Sequence, residues 1–310
     1  MKIALFYANW EEFGEPWSTP LGLRWELQER EHDVRVYNLY HANGALLPQK
    51  KIRTYSGDCF NRFSVDYKKG YRPDVVIVMD YGPFDYVGMD KRFFPDIPFI
   101  LEAGDTPQSL QLHAQKVCKF HGVVTPDYNS AKALGTLGVR SEWMNHWADH
   151  RIFNTEEDVD IGFDVVSTCG GRRVTAEIQA KLGNRFNNER YFFGRDHARR
   201  LRMGHIVFQC SQFGEITRRI FEGMACGRMV ITDRLSSDTH IEDLFVDGQD
   251  IVFYDNAQDA IDKINYYTDH PDERDAIAAR GLRKVMEGHT VSHRVDQLEE
   301  LIRRIQHDIK

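Results

Sequence analysis

The sequence predicts an α/β protein made of two doubly wound parallel sheets, and three observations predict it. Short β-branched runs alternate with stretches of helical periodicity along the whole chain. Residues 75–79, VVIVM, are continuously apolar, as a strand covered on both faces requires. The chain has 310 residues, long enough for a separate core in each half.

The elements follow in order. Residues 3–7 read as a strand, and a polar loop leads to Thr19-Pro20, an N-cap and N1 pair opening a helix to about Arg30. A turn at 31–33 precedes a strand at 34–37; further strands are expected at 75–79, 99–101 and 123–125. A linker at 146–160 divides an expected domain 1–150 from a second, 151–310. The second half restarts with a strand at 164–168, a Gly-Gly turn and a helix over 175–182. Strands are expected at 191–193, 206–209, 229–232 and 251–253, and helices dominate from Ala257 onward. Ile220, Phe221, Met224 and Ala225 recur at helical spacing, and Gly227 falls where a residue closing a helix needs positive φ.

Forty basic against 47 acidic residues leave a net charge of −7, which disfavours a general nucleic-acid or membrane-surface binder. Five scattered cysteines without a CxxC suit a reducing compartment with buried thiols. No apolar run has the length of a membrane span and no cleavable leader precedes the first strand, so a cytoplasmic protein is expected.

Residues 213–232, FGEITRRIFEGMACGRMVIT, say most about chemistry. Glu222 is an acid on an otherwise apolar helix. A partly buried carboxylate needs donors, and a ribose diol supplies two; the alternative is an i,i+4 pair with Arg218. Glu215 reads as a first-turn acid favoured by the helix dipole. In residues 167–173, STCGGRR, a strand ends in small residues before two cations at a helix start. That is an anion site built of Gly170, Gly171 and Arg173, with Arg172 the lesser choice, or a plain turn with solvated arginines. Asp105, at the end of the strand over 99–101, is a candidate base or acceptor-orienting group, or an N-cap for a helix beginning near Pro107.

Residues 46–73 interleave Lys50, Lys51, Arg53, Arg62, Lys68, Lys69 and Arg72 with Tyr55, Phe60, Phe63, Tyr67 and Tyr71. This is a grip for a polyanionic acceptor or an ordinary solvated face. Asp158-Val159-Asp160 imitates a metal-binding DxD but lies in the expected linker, and His113, Cys118 and His121 lack a fourth ligand. No catalytic metal and no cofactor are expected.

The segment 213–234, with IEDLFVDGQDIVFYDN at 241–256, HPDERDAIAARG at 270–281 and the closing His289, Thr290 and Arg294, resembles the C-terminal half of CgeB-type glycosyltransferases. LEAGDTPQ at 101–108 and HWAD at 146–149 are fainter matches. The resemblance implies the GT-B fold of nucleotide-sugar-dependent transferases, related to the large retaining family four. It implies two Rossmann-like domains facing across a cleft, the first for an acceptor and the second for the donor, with a final helix packing back across both. It further implies transfer from a UDP- or GDP-sugar to an acceptor hydroxyl, with Glu222 on the ribose. Arg173, Gly170, Gly171 and Gly214 then meet the diphosphate, helped by Thr217 or Arg218. Glu215 stands one residue out of the family's two-glutamate register. A modified DNA base as acceptor, a non-catalytic nucleotide-sugar-binding protein and a nucleotide-sugar epimerase are the alternatives.

Overall fold

A computed structural model describes residues 1–8, 18–39, 49–80, 89–189 and 192–309. The chain divides into two compact units, residues 1–145 with 292–310, and residues 146–291.

In the first unit, strands β1 (Lys2–Ala8), β2 (Asp33–Leu39), β3 (Val75–Asp80), β4 (Phe99–Ala103), β5 (Gly122–Thr125) and β6 (Arg140–Trp143) form a parallel sheet in the order β2-β1-β3-β4-β5-β6. Ile3 pairs with both Val34 and Val75, and Leu101 with Val78 and Val123. The helices between them are α1 (Ser18–Glu29), α2 (Gln49–Lys68), α3 (Leu110–Ala114) and α4 (Tyr128–Gly135). The apolar run at 75–79 is wholly buried, as a doubly covered strand must be. The edge strand β6, sequence RSEW, is polar and half-exposed, and such a strand carries no buried-face signal in the sequence. Helix α1 already includes Ser18 and Thr19, so Thr19 is helical rather than a cap, and the residues preceding it lie outside the described set.

The second unit repeats the plan. β7 (Phe163–Ser167), β8 (Phe186–Asn188), β9 (Gly204–Phe208), β10 (Met229–Asp233) and β11 (Val252–Tyr254) lie parallel in the order β11-β10-β9-β7-β8. α5 (Arg173–Leu182), α6 (Gly194–Arg202), α7 (Arg218–Ala225), α8 (Ile241–Leu244), α9 (Ala257–Asp269) and α10 (Pro271–Gly288) surround it. The strand expected at 191–193 is instead the short β8. Tyr191 lies outside the described residues, and Phe193 stands immediately before α6 as its extended cap. Gly227 has φ 70° and its N–H reaches the Met224 carbonyl at 2.9 Å, ending α7 as its sequence predicts.

The last helix, α11 (Val291–Asp308), counts with the first unit from residue 292. There Arg30 meets Asp296 at 2.6 Å and Arg304 meets Glu142 at 2.7 Å. A Cβ on Gly122 would fall 2.5 Å from Ile305 Cδ1, so a glycine lets this helix lie close on β5. Among the described residues no helix is long and apolar enough to cross a membrane.

Candidate functional site

The order of the second sheet fixes where a ligand can enter. β8 flanks β7 on one side and β9 on the other, so the direction of winding reverses between β7 and β9. In open α/β sheets ligands bind outside the carboxyl ends of the strands at such a switch point.

After β7 the chain turns through Gly170, at φ 74°, and exposed Gly171. The Gly170 N–H donates to Asn188 Oδ1 at 3.0 Å, and Asn188 Nδ2 donates to the Gly170 carbonyl at 2.8 Å. Arg172 N–H donates to Thr175 Oγ1 at 3.0 Å. Two of the turn's amides therefore already serve the turn, and Gly170 does not offer its own to an anion. Space is open where a Cβ on Gly171 would stand.

The two arginines separate sharply. Arg173 is the first residue of α5; its side chain is 93% exposed and meets Glu177 at 2.8 Å. Arg172 is still extended, at φ −85° and ψ 158°, and turns the other way. Its Nη1 donates to the Cys210 carbonyl at 2.6 Å and its Nη2 to Gln212 Oε1 at 3.4 Å, on the loop after β9. Helical geometry thus sends Arg173 to solvent, whereas Arg172 reaches across to the loop after β9.

The loop after β9 is tied at both ends. Ser211 N–H donates to Asp233 Oδ1 at 2.9 Å, and its hydroxyl bonds the other carboxylate oxygen. Glu215 accepts from the N–H groups of Gln212 at 3.2 Å and Phe213 at 2.6 Å, so its carboxylate organises the loop. Gly214 takes φ 76°. Thr217 is the extended cap of α7, and its buried hydroxyl has no hydrogen-bond partner among the described residues.

Helix α7 buries Ile220, Phe221, Met224 and Ala225, the face its spacing predicts, and Glu222 as well, at 1% exposure. His197, from α6, lies 3.2 Å from Glu222 Oε2. Arg218 Nε lies 2.9 Å from Oε1 but outside hydrogen-bond geometry, so that oxygen has electrostatic balance without a hydrogen bond. Burial pushes the Glu222 carboxyl up, but the Arg218 charge and then His197 outweigh it and hold it at about 2. His197 has no signal in the sequence GRDHARRLR; only the packing of α6 beside α7 brings it in.

In the first unit, Asp105 follows β4, exposed and at φ 52°, with its carbonyl accepting the Ser109 N–H at 2.9 Å. α3 starts at Leu110 with Ser109 before it, so Asp105 is not the cap of a helix at Pro107. The Thr106 and Thr125 hydroxyls meet at 2.5 Å and join the ends of β4 and β5. Asp158 and Asp160 are exposed, and among the described residues no three His, Cys, Asp or Glu side chains are placed to hold a metal. Phe63 is wholly buried, and Phe60, Tyr67 and Tyr71 pack on the same core, so these rings are not a stacking platform. The side chains of Lys50, Lys51, Arg53 and Tyr55 lie outside the described residues.

Residues 150–300 match the family model described as glycosyl transferase-like. No protein of curated function matches the sequence. Among solved structures, HepE of Anabaena in complex with UDP-glucose is 14% identical with a TM-score of 0.67, over 98% of this chain and 100% of that one. Sucrose-phosphate synthase from Thermosynechococcus elongatus is 11% identical at a TM-score of 0.72, over 98% and 99%. A putative UDP-N-acetylglucosamine 2-epimerase from Listeria monocytogenes is 10% identical at 0.63, over 96% and 94%. The fold is GT-B, which transferases and epimerases share. The glycosyl transferase-like match covers residues 150–300, just under half of the chain.

Proposed function

We propose that the chain transfers a sugar from a UDP-sugar to an acceptor hydroxyl, with the nucleotide at the carboxyl ends of β7 and β9. Glu222 carries this reading. It is a fully buried carboxylate held ionised, one turn into α7, and its Oε1 has no hydrogen bond. A buried acceptor of this kind fits the adjacent hydroxyls of a ribose. The complex of HepE with UDP-glucose supports uridine as the base. Arg218, 27% exposed, yields Oε1 to the ribose and turns toward the diphosphate.

Arg172, Arg218 and the amide of Gly171 then take up the charge that develops as the anomeric C–O bond to the diphosphate breaks. Gly214 and Thr217 complete the donor contacts. The acceptor oxygen forms the new bond and gives up its proton to a general base, the role the sequence suggests for Asp105. Arginines serve here in place of a metal, and retention at the anomeric carbon rests on the family resemblance alone.

The test is a thermal-shift panel of uridine, guanosine and adenosine diphosphates and their sugars. A ligand at a hundred times its Kd stabilises the fold by about 2.7 kcal/mol. UDP should give the largest shift, and no shift with any nucleotide sinks the reading. Turnover should survive EDTA. Equilibration of a UDP-sugar with its epimer, without transfer, would instead make the protein an epimerase.

A further inference from the structure

Just beyond the carboxyl ends of β7 and β9 each strand carries a buried cysteine. Ser167 and Phe208 are the last paired residues of β7 and β9, and Cys169 and Cys210 each stand two positions beyond them, in contact with each other. With alternation along a strand, both side chains fall on the same face of the sheet, and both belong to the core that α5 and α9 cover. Parallel strands run about 4.8 Å apart, inside the Cα separation that a disulfide spans. The Cys210 N–H donates to Cys169 Sγ at 3.1 Å, and Gln209 Oε1 lies 3.1 Å from the same sulfur. Arg172, the cation of the proposed donor site, holds the Cys210 carbonyl at 2.6 Å and lies 3.7 Å from its sulfur.

We propose that Cys169 and Cys210 form a reversible dithiol–disulfide pair that disables donor binding when oxidised. The inference rests on the donor reading above for its consequence, but not for the disulfide itself. The side-chain contact between the two thiols draws Cys169 down and pushes Cys210 up, so Cys169 is the nucleophile and Cys210 the resolving thiol.

With a peroxide as oxidant, the Cys169 thiolate attacks one oxygen, forming a sulfenic acid and releasing hydroxide. The Cys210 thiol then displaces water from the sulfenic sulfur. In sum two thiols and hydrogen peroxide give one disulfide and two waters, and a dithiol reductant reverses the change by exchange. Bridging the sulfurs draws the turn at 169–172 onto the β9 loop. That moves Cys210 beneath Arg172 and displaces its guanidinium.

The experiment uses the full chain, reduced or treated with hydrogen peroxide. Peptide mapping under non-reducing conditions reads the cross-link, and UDP titration reads the affinity. The expected result is a 169–210 cross-link and a loss of UDP affinity of about tenfold or more, restored by dithiothreitol. Cys210→Ser should bind UDP equally before and after peroxide, and Cys169→Ser is the second control should the first fold poorly.

Five alkylatable thiols after oxidation, or a cross-link elsewhere, overturns the proposal. A 169–210 cross-link with unchanged UDP affinity overturns the switch. If the cross-link forms but the reduced protein binds no nucleoside diphosphate, the donor reading fails and the dithiol pair stands.

Discussion

Two arginine–glutamate pairs four residues apart open two crossover helices of the same domain, α5 and α7, and they do opposite things. Arg173 and Glu177 meet at 2.8 Å with side chains 93% and 47% exposed. Arg218 and Glu222 meet at 2.9 Å with side chains 27% and 2% exposed. In water such a pair is nearly neutral, because screening and lost side-chain freedom offset the attraction. Within the core the carboxylate cannot exchange its partners for solvent, so its charge is fixed by what surrounds it. The same spacing is a solvated ornament in α5 and the centre of the candidate site in α7.

Replacing Glu222 should show the contrast most strongly. Glu222→Gln leaves Arg218 and His197 facing a neutral amide, and a broken buried pair costs several kcal/mol. With Arg218 partly exposed, about 3 kcal/mol is expected from urea unfolding, together with loss of UDP binding. The same pair sets a pH dependence. Its carboxyl drops from an ordinary value of 4.5 to about 2 on folding, so its stabilisation is complete above about pH 4.5 and fades as pH falls toward 2. The gap in stability between wild type and Glu222→Gln should therefore narrow on acidification through that window, and a constant gap would mean that ionisation is not what the site conserves.

The paired arginines come next. Arg172→Ala should weaken UDP binding by about 1.5–3 kcal/mol, the worth of a charged hydrogen bond, while Arg173→Ala leaves the affinity unchanged; calorimetric titration of both decides which one faces the donor. His197→Ala removes the group beside Oε2, with an expected cost of about 1–2 kcal/mol in stability and a smaller loss of affinity. The smallest effect belongs to Glu177→Ala. Unfolding should change by no more than about 0.5 kcal/mol, and a larger loss would show that the exposed pair matters after all.

Much of this was legible beforehand because period and burial are local properties. The apolar run at 75–79, the buried stripe of α7 and the positive φ of Gly227 follow from residues a few positions apart. The misplaced strand at 191–193 has the same origin. Its aromatic YFF looks more like a strand than the FNN of β8, yet FNN pairs with β7, and Phe193 stands extended as the cap of α6. Polar β6 gave no local signal at all. In the site, the choice between Arg172 and Arg173 turned on which residue is the last extended one before α5, a boundary finer than periodicity resolves.

The amino-acid sequence by itself determined two α/β units, the helix that carries Glu222 and the glycine that ends it, since each depends on neighbours within one or two turns. Only the tertiary structure decided that Glu222 is an ionised, water-excluded carboxylate, that His197 backs it, and that Glu215 serves its own loop. The physical reason is that charge state depends on what displaces water from a group. For Glu222 the carboxylate's partner on another helix, His197, is 25 positions away along the chain, brought there by the packing of α6 beside α7.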